Sequence, residues 1–185
     1  MYYSILHTAF GYVGIIFTLI PFTVKRIFLP RPEIKELEAD IRKEYLANSS
    51  LLSIEATGSL DGRAEDVEDF YLLSSSLKSY FQGTPIELKY QWLDMSNMTP
   101  LQQLVLDVTS RIPYGEVRSY TWVANLISRP RAQRFVGNTL ARNPFPILIP
   151  CHRVIRGNGS LGGFAGGLEL KRRLIALERK APRSP

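Results

Sequence analysis

The first thirty residues run as short apolar stretches, YYSILHT, YVGIIFT and TVKRIFLP, rich in β-branched and aromatic side chains and separated by AFG and LIPF. That pattern predicts three successive strands joined by tight turns. RPEIKELEADIRKEYLAN then sets Ile34, Leu37, Ile41 and Tyr45 at helical spacing among charges, so an amphipathic helix is expected from about Pro32 to Ala47. LLSIEATG reads as a further strand and GSLDGRAED as a loop, followed by VEDFYLLSSSLKSYFQG as a second helix closed by Gly83. Periodicity is lost through TPIELKYQWLDMSNMTP, and the domain boundary is placed there, near residues 86 to 98.

Helical punctuation returns at TPLQQLVLDVTSRI, with Thr99 as N-cap, Pro100 at the first helical position and PYG as the stop. Two short helices follow, SYTWVANLI capped by Ser119 and SRPRAQRFVGNTLAR with Ser128 as N-cap and Pro130 in its first turn. A pair so closely spaced predicts a helix-turn-helix, a common DNA-binding unit. At about 100° per residue, the second helix turns Ala132, Phe135, Val136, Thr139 and Leu140 inward and Arg131, Arg134, Gly137, Asn138 and Ala141 outward. In NPFPILIPCHRVI the prolines break the helix, and Pro150, lacking an N–H, places Cys151 at the end of an extended segment. RGNGSLGGFAGG is a glycine-rich loop without the spacing of a phosphate cradle. LELKRRLIALERK closes the chain as a helix with an apolar stripe through Leu170, Leu174 and Leu177 and Glu178 on its flank. The expected domains are therefore residues 1–95, an N-terminal α/β support domain, and residues 96–179, with 180–185 as a flexible tail.

Composition adds that 185 residues, 45% of them apolar, suffice for one substantial core or two small ones. Residues 2 to 24 carry no charge, the length of a membrane span, but no basic region precedes them, and Gly11, Gly14 and Pro21 interrupt them. Strands are the better reading, and no membrane association is expected. Charge is divided unevenly. Residues 1–95 hold nine basic and thirteen acidic side chains, whereas residues 96–185 hold fourteen and four. A basic half of this kind fits a polyanionic partner, most simply nucleic acid.

The only cysteine, Cys151, lies in that basic half beside His152, one of two histidines. One cysteine excludes an internal disulfide framework, and one cysteine with two histidines cannot make a four-ligand structural zinc site. A thiol reacts as its thiolate and needs a base or a field that favours the anion. Adjacent residues of an extended segment point apart, so His152 would need a bridging water to take the proton, with a carboxylate such as Glu178 fixing its tautomer. On these grounds alone Cys151 reads equally well as a buried core thiol.

Four runs, IPYGEVRSY, RFVGNTLARNPFPILIPCHRVI, GNGSLGGFAGG and LKRRLIALE, together resemble the C-terminal domain of the O6-alkylguanine-DNA alkyltransferases, also called methylated-DNA-protein-cysteine methyltransferases. The likeness covers roughly residues 97 to 179. It implies an α+β fold, with a small antiparallel N-terminal sheet and helices of ribonuclease H-like type and a mostly helical C-terminal domain bearing the helix-turn-helix. It also implies repair by direct reversal, in which an alkyl group on O6 of guanine, or on O4 of thymine, moves irreversibly to Cys151, once per molecule. By the same resemblance His152 is the base acting through water, Glu178 orients it, Asn143 braces the network and Tyr120 protonates the leaving base. Arg134 fills the gap left by the everted nucleotide, with Arg131, Gly137, Asn138 and Ser119 contacting DNA and Val154, Gly162, Gly163, Phe164 and Leu140 forming the base pocket. The partner implied is double-stranded DNA containing O6-alkylguanine, bound by a monomer that uses no cofactor and no metal. The expected location is cytoplasmic at the nucleoid, or nuclear in a eukaryote.

The sequence departs from the family pattern at Phe135 and Asn138, where small residues are usual, and at Phe164 and Ala165, where tyrosine and serine often stand. Two rivals differ in class. A helix-turn-helix protein could bind alkylated DNA without chemistry, Cys151 being structural, and a cysteine hydrolase would need a histidine beside the thiol, for which only the distant His7 remains.

Overall fold

The computed structural model describes residues 1–46, 52–53, 64–87 and 89–180. The chain divides into two compact units, Met1–Asp94 and Met95–Pro185.

In the first unit the expected strands form as β1 (Tyr2–Thr8), β2 (Gly11–Leu19) and β3 (Phe22–Arg31), an antiparallel meander. Only Leu52–Ser53 of the next predicted strand are described, as β4, which pairs parallel to β1 and gives the order β3-β2-β1-β4. Val13 to Phe17 of β2 are buried without alternation, the mark of a strand covered on both faces. One cover is α1 (Ile34–Ile41), whose Leu37 and Ile41 cluster with Ile16 and Phe28. Gly14 permits this approach, because a Cβ there would lie 3.2–3.3 Å from side-chain atoms of Ile41, Leu37 and Phe28. The other cover is α2 (Ala64–Tyr80), whose Phe70 stacks on Phe17 with ring centroids 4.6 Å apart.

One helix type and one helix boundary differ from the sequence reading. The first helix continues beyond Ile41 as a wider π-type turn over Arg42–Leu46, and the expected end at Ala47 lies outside the described residues. The second begins at Ala64, three residues inside the expected loop, where the Asp66 carboxylate accepts from the Phe22 amide at 2.7 Å and ties the helix start to the β2–β3 turn. The remainder of that loop lies outside the described residues.

The second unit is mainly helical. Its first helix, α3 (Pro100–Ser110), starts with reciprocal capping: the Gln102 amide donates to the Thr99 hydroxyl and the Thr99 amide to the Gln102 side chain. Thr99→Ala is expected to lower stability by about 1 kcal/mol, seen as a reduced Tm with unchanged circular dichroism. A short parallel ladder pairs β5 (Arg118–Ser119) with β6 (Val154–Ile155), and α4 (Tyr120–Leu126) leaves β5 with the Ser119 hydroxyl accepting from the Trp122 amide.

The connection to α5 (Gln133–Ala141) corrects the reading of Ser128 as an N-cap. Ser128 is left-handed (φ 56°), its amide donates to Asn125 O and the Arg129 amide to Ala124 O. This paired arrangement closes the C-terminus of α4, and the residue before α5, Ala132, makes no side-chain cap. Val136, Thr139 and Leu140 are buried, while Arg131, Arg134, Asn138 and Ala141 are exposed. The last helix, α6 (Gly167–Lys180), buries Lys171, Leu174, Ile175 and Glu178. Its inward stripe is therefore rotated from the expected Leu170–Leu174–Leu177 line, and Lys180, expected in the tail, is its last residue; 181–185 lie outside the described residues.

Candidate active site

Cys151 does not end an extended segment; it opens a single 3-10 turn, Cys151–Arg153, all three residues of which are buried. Asn143 holds the approach to this turn, its Nδ2 donating to Ile149 O (2.9 Å) and its Oδ1 accepting from the Phe145 amide (3.0 Å). Between them Ile147 sits at φ +75°, an uncommon conformation for a β-branched side chain and a local strain that the surrounding contacts must offset.

Behind the turn, Glu178 of α6 gathers three residues from two segments on one carboxylate. His152 Nε2 lies 2.8 Å from Oε1, Arg153 donates from Nη2 to Oε1 (2.9 Å) and from Nε to Oε2 (2.8 Å), and the Gly115 amide donates to Oε2 (3.1 Å). The remaining Arg153 nitrogen, Nη1, donates to Ile112 O at 2.6 Å. Burial by itself would raise the Glu178 pKa, but the His152 and Arg153 contacts prevail and hold it down at about 2. Burial keeps His152 below its ordinary value despite the carboxylate, so the imidazole is neutral near pH 7. An ionised Glu178 can only accept, which puts the imidazole proton on Nε2 and the lone pair on Nδ1.

On the sulfur, burial pushes the pKa up, while the Asn143 side chain, the Lys171 charge and the amides of Cys151 and His152 all favour the anion. Lys171 is fully buried, with Nζ donating to Val154 O (2.6 Å) and Gly163 O (3.3 Å). Burial lowers its pKa to about 8, against the raising influence of the Cys151 thiolate. Tyr120 is held above its ordinary value by burial and by that same thiolate, with Arg156 acting the other way, and its phenol stays protonated at neutral pH.

A cleft of about 490 Å³ opens between α5 and the glycine-rich loop, lined by Tyr120, Arg134, Gly137, Arg156, Gly163 and Phe164 among others. Gly162 (φ +67°) lets the loop fold over Tyr120: a Cβ there would come within 2.9 Å of the phenol oxygen. A buried thiol, a neutral imidazole with its lone pair on Nδ1, a protonated phenol and a lysine near the sulfur can together form a thiolate and protonate a leaving group.

Residues 100–180 match the family described as 6-O-methylguanine DNA methyltransferase, DNA binding domain. Against full-length proteins, the chain is 37% identical over 139 residues to the methylated-DNA-protein-cysteine methyltransferase of Mycolicibacterium paratuberculosis, covering 75% of this chain and 83% of that one. The chain belongs to the methylated-DNA-protein-cysteine methyltransferase family. The family member of Methanosarcina acetivorans is 42% identical over 119 residues, 64% of this chain and 74% of that one. With the member from Methanothermobacter thermautotrophicus, 41% identity extends over 106 residues and the chain spans 59% of that relative's length. A crystal structure of Mycobacterium tuberculosis OGT in complex with DNA superposes with a TM-score of 0.74 at 27% identity, covering 99% of this chain and 96% of that one.

Seen as a methylated-DNA-protein-cysteine methyltransferase, the chain buries Cys151, His152, Glu178 and Asn143, the set to which the family resemblance gives the transfer. Tyr120, Arg134, Gly137, Asn138, Gly162, Gly163 and Phe164 line the cleft. Leu140 and Val154 are buried and do not line it, Val154 contributing its carbonyl to Lys171. Ser119 is occupied as the α4 cap, and Arg131 is exposed ahead of α5. The sequence reading missed Arg153 and Lys171. A signal for Lys171 was available, since it stands three, four and seven residues before Leu174, Ile175 and Glu178, on one helical stripe.

Proposed function

We propose that the protein repairs DNA by direct reversal, moving a methyl or larger alkyl group from O6 of guanine, or O4 of thymine, to Cys151 in a single turnover. The observation that carries this is the Cys151 turn itself, with Lys171 and Asn143 favouring the thiolate and the His152–Glu178–Arg153 chain beside it. His152 Nδ1 takes the thiol proton through a water, and Glu178 steadies the resulting imidazolium. The sulfur attacks the alkyl carbon, the carbon–oxygen bond breaks, and the base leaves as its anion, which Tyr120 protonates. The Tyr120 proton is then replaced by the one the thiol gave up, so the sum is thiol plus alkylated base to thioether plus base. A thioether is a poor leaving group, which makes the step final.

The target oxygen lies inside the base stack, so the nucleotide must be everted at a cost of a few kcal/mol. The C-terminal unit is the DNA-binding and acceptor domain, the α4–α5 pair its helix-turn-helix, and Arg134 the side chain that enters the stack. The strand order β3-β2-β1-β4 supports a ribonuclease H-like supporting unit. Among the described residues no helix is long and apolar enough to cross a membrane. Action on DNA supports a location at the nucleoid, or in the nucleus of a eukaryote.

Incubation with DNA containing O6-methylguanine, followed by intact-mass and peptide analysis, tests the reading. Gain of one methyl at Cys151 supports transfer; unchanged mass with retained binding would make the protein a non-enzymatic binder. Two further results are expected. Arg134→Ala should slow repair of duplex DNA by roughly 10-fold or more, the scale of a lost stack-filling contact of at least ~1.4 kcal/mol, and leave reaction with free O6-benzylguanine unchanged. The single-turnover rate should rise with pH as the raised Cys151 thiol ionises, and the rise should flatten past about 8, where Lys171 gives up its charge.

A further inference from the structure

The cleft has a second arginine that the sequence reading did not single out. Arg156 follows β6 directly and lies on a turn closed by its own backbone, its amide donating to Ser160 O (2.8 Å) and its carbonyl accepting from the Gly159 amide (3.0 Å). Asn158 Oδ1 braces that turn by accepting from the Ser160 amide and hydroxyl. β6 pairs with β5, the strand that leads into Tyr120, so Arg156 and Tyr120 are carried by adjacent strand ends. Both line the cleft, and the charge of Arg156 reaches the Tyr120 hydroxyl.

The electrostatics of the cleft are one-sided. Its lining includes Arg134 on α5 and Arg156 on the loop side, and no acidic residue among those described. Arg156 is exposed and makes no ion pair with a described carboxylate, unlike Arg118, Arg153 and Arg172, which engage Glu116, Glu178 and Glu169. An arginine held on a braced turn, unpaired and beside a cleft without counter-charge, suits a bidentate contact with an oxyanion that arrives with the ligand. Gly163 of the same lining has nothing within 4 Å of where a Cβ would stand, so the backbone there is open to close approach.

We propose that Arg156 binds a backbone phosphate of the nucleotide that enters the cleft, a role separate from the stack-filling part given to Arg134. This rests on the alkyl-transfer reading for the identity of the nucleotide, while the phosphate contact can be measured without any transfer. An arginine that holds the phosphate of an everted nucleotide is needed whether the strand is paired or single. A stack filler is needed only in the duplex.

The test compares wild type, Arg156→Ala, Arg156→Lys and Arg134→Ala on three substrates: duplex and single-stranded oligonucleotides carrying O6-methylguanine, and free O6-benzylguanine, which has no phosphate. Arg156→Ala should slow transfer from both oligonucleotides by about 10-fold, the scale of one charge-assisted contact, and leave the free base unaffected, which also shows that the variant is folded. Arg156→Lys should recover part of the loss, and Arg134→Ala should lose on the duplex alone. In the Cys151→Ala background, which binds without reacting, the slope of log affinity against log salt for the single-stranded oligonucleotide should fall by about 0.7 on removing Arg156, the value for one phosphate on a single strand. Equal slowing on the free base would assign Arg156 to the acidity of Tyr120 instead and overturn the proposal, as would an unchanged salt slope. If wild type transfers nothing from any substrate, the alkyl-transfer reading fails, and the salt slope alone still decides the phosphate contact.

Discussion

Cys151→Ala is expected to abolish alkyl transfer completely while retaining the fold and the affinity for DNA. It is the only cysteine in the chain, so no neighbouring thiol can substitute for it. The side chain is buried to 6% exposure on a turn whose shape is set by backbone bonds and by Asn143, none of which needs the sulfur. Trimming it to alanine removes one buried atom, a loss on the order of 1 kcal/mol, which shifts Tm slightly and leaves the α5 surface intact. Intact-mass analysis after exposure to alkylated DNA, beside a binding titration on the same DNA, reads both halves. Residual alkylation of the variant at any other residue would remove Cys151 from the acceptor role.

The second large effect is expected at Glu178. Glu178→Gln leaves Arg153 charged and buried without its anion, the kind of broken pair that costs roughly 3–5 kcal/mol. It also replaces an acceptor-only carboxylate with an amide that donates as well as accepts and carries no charge to steady an imidazolium, so the His152 tautomer is no longer fixed and transfer from the free base should slow by ~10²-fold, as when a general base is misplaced. The pH dependence separates the two consequences. A carboxylate held at about 2 when folded, against an ordinary value of 4.5, stabilises the fold fully above the ordinary value, and that contribution is lost as pH falls toward 2. The wild type should therefore lose on the order of 3 kcal/mol of stability across that acid window, and Glu178→Gln, already lacking the charge, should show a flatter profile there. Denaturant midpoints measured over the window check this. Parallel profiles for the two proteins would mean that the pair adds nothing to stability.

Much of this was written locally in the chain. The β-branched and aromatic runs of β1 to β3, the Thr99 and Ser119 caps and the exposed Arg134 and Asn138 of α5 each depend on residues within a few positions of one another, and the structure has all of them. Ser128 was misassigned because serine before a proline-containing segment resembles an N-cap, whereas the chain uses it in a left-handed C-terminal closure that serine adopts rarely. The apolar stripe read for α6 follows its leucines, whereas the buried line of the helix includes Lys171. Its ammonium is satisfied by two carbonyls from segments 8 and 17 residues away, which no local pattern announces. Arg153 is hidden for the same reason: its carboxylate partner is 25 residues distant and its carbonyl partner 41. Buried polar groups are legible only once their partners are, and those partners are set by the tertiary fold.

Lys171 also makes the protein a recorder of its own history. Its basicity is supported by a sulfur able to become anionic, and a sulfur bearing an alkyl group never can. A spent molecule should thus carry a lysine that surrenders its proton more readily than that of a fresh one, an invisible change in shape but a plain one in a nitrogen-detected magnetic resonance titration.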